Sequence, residues 1–300
     1  MAVSSRLWSK DATLISRIRI LWVRRPDFYL SMRLALLSDI HGNTVALEAV
    51  LADIEQQGGA EAYWVLGDLV ALGPDPLGVL ERLNTLPNLH CIRGNTDRYV
   101  VMGDRPPPTP AEVKAAPELL AVLVEIAGTF AWTQGAITTA GWLDWLAALP
   151  LELHLTLPTG TRLLGVHAAP GLDDGPGLRP DLSQTEFEAL VSNCDADIIC
   201  VGHTHWPLDV RVGDKRIVNL GSVSNPVAPD LRASYVRLDA DASGYQLHHR
   251  RVDYDHEAVI TALQRQRHPG AGFIIRHMLG QHIPSWVNSS APYGLGWESP

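Results

Sequence analysis

Three short apolar runs, "RLALLSD" (33–39), "AYWVLGD" (62–68) and "LHCIRGN" (89–95), each end in a glycine-associated polar turn carrying Asp or Asn. Two helical segments separate them. "NTVALEAVLADIEQQGG" (43–59) has Asn43 or Thr44 as a cap, an apolar stripe through Val45, Leu47, Val50, Leu51 and Ile54, and a Gly58-Gly59 stop. "PLGVLERLNTL" (76–86) starts on Pro76. Such a β-α-β-α-β alternation predicts a mostly parallel layer, helices on one face and a site beyond the strand ends. It restricts the fold more than composition does.

The rest of the chain adds a different pattern. Residues 103–118 are proline-rich and read as a loop, and 119–148 read as helical and rich in tryptophan. Together, 103–150 are expected to form a helical insertion covering one side of the domain. Trp132, Trp142 and Trp145 then serve as core, as a dimer face, or as a cap that stacks on a nucleobase. "LPLELHL" resumes as a strand. "RLLGVHAAPG", "ADIICVGHTHWP", "KRIVNLGSV", "RASYVRLDA" and "YQLHHRRVD" follow as strand candidates. Ser183 and Glu186 have capping-box spacing, and 255–266 reads as a later helix. Met32 directly precedes the first strand, so residues 1–31 are read as a loose extension, a start-site artefact or a short packed helix. Residues 32–268 form the main domain and 269–300 a tail.

Composition narrows the function classes. The chain has 300 residues, 46% hydrophobic, with a formal net charge of -9. That charge argues against stable nucleic-acid or anionic-membrane binding. No uninterrupted apolar stretch of membrane-spanning length is evident. Three cysteines without a C-x-x-C pair fit reduced thiols and a cytoplasmic location.

Potential metal ligands stand at strand ends throughout: Asp39 and His41, Asp68, Asn95 with Asp97 nearby, His167, and His203 with His205. Carboxylate oxygen and imidazole nitrogen together suit Mn, Fe, Zn, Co or Ni better than Ca or Mg. Each block alone has an ordinary alternative. Asp39 and Asp68 could cap helices, Asn95 could be a turn residue, and His167 could be a core histidine. Asp97 either orients a ligand or pairs with Arg93 or Arg98. Asn43 and Arg93 are candidates for substrate contact, against the alternatives of a capping asparagine and a surface arginine. His90, His154, His248, His249, His256, His268, His277 and His282 match no motif and read as structural or solvent-facing.

The ordered set D-x-H-G-N, G-D, G-N-x-D, V-H and G-H-T-H resembles the calcineurin-like metallophosphoesterases, in particular their small bacterial branch. The resemblance spans roughly residues 33 to 265 and includes "LVALGPDP", "LAALPL", "NLGSVSNP" and "RASYVRLD". It implies an α/β (α+β) fold, a four-layer α/β/β/α sandwich with a helical insertion. It also implies two divalent metal ions, with Mn favoured. Asp39, His41 and His205 would hold one ion and Asn95, His167 and His203 the other, with Asp68 between them. The implied activity is metal-dependent hydrolysis of a small phosphate ester by a hydroxide bridging two metals.

This chain departs from the family pattern at Thr96, where many members carry a histidine that helps protonate the leaving group. Threonine donates a hydrogen bond but is no general acid at neutral pH. The implied catalytic set is therefore Asp68, Asn95, Thr96 and Asp97, with Asn43, Arg93 and Thr96 on the substrate side. The departure leans towards phosphodiesters or phosphoanhydrides. Dinucleoside polyphosphate hydrolysis, protein serine/threonine phosphatase activity and a non-catalytic metal-binding scaffold are the alternatives. The substrate could be a nucleotide, and a homo-oligomer is compatible with the sequence.

Overall fold

The computed structural model describes residues 31–227, 229–281 and 284–288. The expected N-terminal extension lies outside the described residues except for Ser31, which opens the first strand. β1 (Ser31–Leu37), β2 (Ala62–Leu66) and β3 (Leu89–Ile92) pair in parallel and alternate with α1 (Thr44–Gln56) and α2 (Pro76–Leu83). Asn43 caps α1 by accepting from Ala46 N, and Asp75 caps α2 through Gly78 N. β9 (Ala233–Asp241) adds to β1 antiparallel and β10 (Gly244–Val252) adds to β9, so this first sheet is mixed, in the order β10-β9-β1-β2-β3. The second sheet has the order β4-β5-β6-β8-β7. It is built from β4 (Glu152–Thr156), β5 (Arg162–Val166), β6 (Ile198–Val201), β7 (Leu208–Val212) and β8 (Lys215–Asn219).

Alternation of side chains along the strands produces the layers. Leu34, Leu36, Trp64 and Leu66 of the first sheet face Leu163, Ile198, Cys200 and Val218 of the second. The opposite face of the first sheet presents Ala35, Leu37, Tyr63 and Val65 to Leu47, Val50 and Ile54 of α1 and to Val79, Leu80 and Leu83 of α2. Leu164, Val166, Ile199, Val201 and Ile217 of the second sheet pack on Phe187 and Val191 of α7 (Gln184–Val191). The result is the α/β/β/α order. Ser183 and Glu186 form the capping box that opens α7.

Between β3 and β4 run α3 (Asn95–Met102), α4 (Pro110–Ala115), a short 3-10 turn (Pro117–Leu119), α5 (Leu120–Thr139) and α6 (Leu143–Ala147). α4 corrects the loop reading of 103–118: Thr109 and Glu112 form a reciprocal capping box and Pro110 occupies the first turn. The stretch Pro117–Thr139 corrects a second expectation. By length and composition it could cross a membrane, although Glu125 and several Thr, Gln and Gly residues break up the apolar run. α5 buries Phe130, Thr133 and Ile137 against the domain. Trp142 and Trp145 pack edge-to-face, 5.5 Å apart, against the core of the first sheet.

The expected tail, 269–300, is helical in its first part, and residues 282–283 and 289–300 of it lie outside the described residues. α8 (His256–Arg265) is followed by α9 (Ala271–Met278), which buries Ile274 and Met278 against Val259, Ile260 and Leu263 of α8. A Gly270 junction and an i, i+3, i+4, i+7 apolar spacing (Ala271, Ile274, Ile275, Met278) carried that helix in the sequence.

Candidate metal centre and its surroundings

The site forms where the strands of both sheets end. Backbone hydrogen bonds lace the turns after β1 and β2 together: Asp39 N donates to Gly67 O at 3.1 Å, His41 N to Asp68 O at 2.9 Å and Gly42 N to Leu69 O at 2.8 Å. Within the second sheet, Gly202 N donates to His167 O at 2.9 Å and joins the ends of β5 and β6. The loop after β8 is tied to β1 by Val223 N to Ser38 O at 3.0 Å and Ser224 N to Asp39 O at 3.1 Å. Asp39, His41, Asp68, His203 and His205 all adopt positive φ, between 49° and 67°, without being glycine. Non-glycine residues rarely enter this region, and here it turns each side chain back over its strand end. Neighbouring glycines make room. A Cβ on Gly94 would lie 2.1 Å from Asp68 Oδ1, and one on Gly202 would lie 2.5 Å from Asp39 Oδ2.

Each of the four histidines is oriented by a backbone carbonyl. His41 Nδ1 donates to Ala71 O at 2.9 Å, His167 Nδ1 to Leu66 O at 2.7 Å, His203 Nε2 to Gly175 O at 2.8 Å and His205 Nδ1 to Asn225 O at 2.6 Å. A carbonyl only accepts, so a proton sits on that nitrogen, and the other nitrogen faces the cluster, where the neutral ring presents a lone pair. Those nitrogens converge on one another and on oxygen. His41 Nε2 and His205 Nε2 are 3.1 Å apart, and Asp39 Oδ1 lies 3.3 Å from His205 Nε2. His167 Nε2 and His203 Nδ1 each lie 3.1 Å from Asn95 Oδ1. Asp68 spans the two groups, with Oδ2 3.7 Å from His41 Nε2 and Oδ1 3.5 Å from His167 Nε2. The donor atoms of Asp39, His41 and His205 lie within 4.8 Å of one another, as do those of Asp39, Asp68 and His167. Asp39 Oδ2 accepts from Ser38 Oγ and His203 N, whereas Oδ1 is buried with no hydrogen-bond partner. Electron-pair donors gathered at these distances repel unless protons or cations lie between them. The set fits two divalent ions.

Charge divides the four histidines, and the neighbouring Asp39 raises His205 against its burial. Burial favours the neutral imidazole of His41 and His203 and holds both below the usual value. At His167 burial works in the same direction, but the Asp68 and Asp39 carboxylates outweigh it and push the ring up to about 10. Burial opposes ionisation of Asp68, yet His167, His41 and His203 hold its carboxyl well below the ordinary range.

All seven candidate ligands come together. Asp97 supports the site from below and forms no ion pair with Arg93 or Arg98. Its Oδ2 accepts from Asp68 N at 2.8 Å and Gly94 N at 3.0 Å, and its Oδ1 from Leu69 N at 2.9 Å. Burial and Asp68 push Asp97 up to about 7, against the pull of those N–H groups. Thr96 N donates to Asp68 Oδ1 at 2.9 Å, and the Thr96 hydroxyl is buried without a partner.

Two candidate substrate residues are engaged elsewhere. Asn43 is fully buried: Oδ1 caps α1 and Nδ2 donates to Ser224 Oγ at 3.0 Å. Arg93 Nε donates to Asp173 Oδ2 at 2.8 Å. Asp173 also binds Arg98, and Asp174 accepts from Arg98 and from Tyr99 Oη. This network clamps the loop whose Gly175 carbonyl orients His203. His277, read from sequence as structural or solvent-facing, is buried and its ring lies 6.5 Å from that of His205.

A two-layered sheet core thus brings carboxylate, carboxamide and imidazole donors together at its strand ends, a set that could hold divalent cations. Residues 32–243 match the calcineurin-like phosphoesterase superfamily domain, and the chain belongs to that superfamily. Its relatives include MJ0912 of Methanocaldococcus jannaschii, 28% identical over 79% of this chain and 93% of that protein. Phosphodiesterase YfcE of Escherichia coli K12 is 27% identical over 70% of this chain and 89% of its own length. The metallophosphoesterase of Sphaerobacter thermophilus shares the fold, with a TM-score of 0.65 and 23% identity over 84% of this chain and 99% of that one.

Proposed function

We infer that this phosphoesterase is metal-dependent and hydrolyses phosphodiester or phosphoanhydride bonds in small substrates. The observation that carries the reading is the orientation of four histidines by four backbone carbonyls, which turns the second ring nitrogen of each towards Asp39, Asp68 and Asn95. Asp39, His41 and His205 would hold one ion, and Asn95, His167 and His203 the other, with Asp68 shared. The oxygen and nitrogen donors, with no thiolate among them, suit Mn, Fe, Zn, Co or Ni. Two such ions, when bound, polarise a phosphoryl group and lower the pKa of water.

The chain's own residues set the rest. Asp97 fixes the backbone of Asp68, and the Asp173–Gly175 loop fixes His203. Thr96 offers a buried hydroxyl at the Asn95 end, able to donate a hydrogen bond and unable to supply a proton at neutral pH. A leaving group that departs without strong protonation is favoured, as in an activated diester or an anhydride. The name of the YfcE relative supports the diester reading.

The test is a panel of mono-, di- and pyrophosphate esters with protein loaded in turn with Mn, Zn, Co and Ni. Diester or anhydride turnover is expected to exceed monoester turnover. Metal-loaded protein that hydrolyses none of them would overturn the reading.

A further inference from the structure

The loop after β8 carries an unexplained polar group. Asn225 is 1% exposed, and neither its Oδ1 nor its Nδ2 has a hydrogen-bond partner among the described residues. A carboxamide has two N–H donors and a carbonyl acceptor. Burying it unpaired costs on the order of 1–3 kcal/mol, so such groups are rare in folded proteins and call for a physical explanation. Nearby buried amides do not share this property. Asn43, in contact with the same loop, uses both ends of its side chain, and Asn219 at the end of β8 donates to Gly202 O at 2.9 Å.

The position of Asn225 is fixed from three directions. Its own carbonyl accepts from His205 Nδ1 at 2.6 Å. The preceding residue, Ser224, donates its N–H to Asp39 O and accepts from Asn43 through its hydroxyl. Tyr254 Oη donates to Ser224 O at 3.1 Å. Backbone contacts, Ser224 N to Asp39 O and Asn225 O to His205 Nδ1, therefore hold the loop that carries this carboxamide beside two members of one candidate metal group. At the opposite end of the cluster, beside Asn95, the Thr96 hydroxyl is likewise buried and unpartnered. Each end thus carries a neutral hydrogen-bonding group with no partner among the described residues.

We propose that Asn225 is a substrate-binding residue whose carboxamide donates to a phosphoryl oxygen held at the Asp39–His41–His205 end of the site. A neutral donor suits this place. It adds a directional contact to an anionic ligand and, unlike lysine or arginine, does not repel the neighbouring ion. The assignment rests on the phosphoesterase reading and names a contact that the reading does not require.

The experiment compares wild type, Asn225→Leu and Asn225→Asp, each loaded with Mn. The readouts are metal content, thermal midpoint without ligand, and affinity for inorganic phosphate by calorimetry. Leucine is nearly isosteric and removes the buried polar atoms. It is expected to leave metal content unchanged, to hold or raise the thermal midpoint, and to weaken phosphate binding about tenfold. Aspartate is expected to weaken phosphate binding further, because a carboxylate repels the anion.

A purely structural asparagine would behave in the opposite way. A lower midpoint in Asn225→Leu with phosphate affinity unchanged overturns the proposal, as does loss of bound metal. Equal phosphate affinity in all three proteins overturns the role of Asn225 alone. Failure of metal-loaded wild type to bind phosphate overturns both this role and the functional reading.

Discussion

Five candidate ligands in left-handed backbone conformations form an expensive arrangement. Each costs on the order of 1–2 kcal/mol, so the surrounding hydrogen bonds must hold the turns in place. The glycines beside them belong to the same device. Gly94→Ala would place a methyl group 2.4 Å from the backbone N of Asp68 as well as against its carboxylate. Backbone cannot swing aside as a long side chain can. The variant is expected to fold with lowered stability and to lose at least about a hundredfold in turnover, a cost on the order of 3 kcal/mol in transition-state terms. Steady-state kinetics and a thermal melt on the same sample check it. The ligands themselves were legible in the sequence because each combined a chemically distinctive side chain with a strand end. The partners of Asn43 and Arg93 were not legible in full, because a side chain's partner in space leaves no local signal. Asn43 takes up the capping alternative, and Arg93, read alternatively as a surface arginine, pairs with Asp173. Asn225 carried no signal either: a buried, unpartnered carboxamide looks in sequence like any turn asparagine.

Among the elements, the opening β-α-β-α-β segment was readable because period and caps agreed along its whole length. In the first sheet the parallel-layer expectation held for β1 to β3 alone, and in the second β5, β6 and β8 pair in parallel. β9 and β10 return from far along the chain, and pairing at that separation is invisible to local pattern. β7 was missed as a strand because "PLDVRV" is short and half-exposed.

The junction of α5 with α9 shows what long-range packing adds. Pro269 and Gly270 pack on Gly128 and Thr129 of α5, where a Cβ on Gly270 would lie 2.3 Å from Thr129 Oγ1. Glu125 accepts from Phe273 N at 3.1 Å, and Trp132 packs edge-to-face on His268 at 4.5 Å. Burial lowers His268 from the usual 6.5 to about 4. Between these values the unfolded chain binds a proton that the folded chain does not, so stability is full above about pH 6.5 and falls as pH drops towards 4. Thermal midpoints measured across that window should fall more steeply for wild type than for His268→Asn. Identical slopes would remove His268 from the acid response.

In the whole molecule, two sheets packed face to face bring six strand ends to one edge. Ligands from residue 39 to residue 205 meet there only when both sheets are complete. Identification from sequence worked at this level because the order of the blocks survives even where pairing partners cannot be read. Binding at such a site is folding energy. Ions that bind the folded chain alone raise its stability by RT ln(1 + [L]/Kd), about 2.7 kcal/mol at a hundredfold excess over Kd. Calorimetric titration of metal-free protein with Mn, run beside phosphodiester turnover, examines both the centre and the chemistry. Two ions per chain are expected, with turnover rising as the second binds, and Asp68→Asn should lose tight binding of at least one ion together with turnover. Two tightly bound ions and full turnover in Asp68→Asn would show that Asp68 is not the shared ligand and that the reaction does not depend on the centre as assembled here.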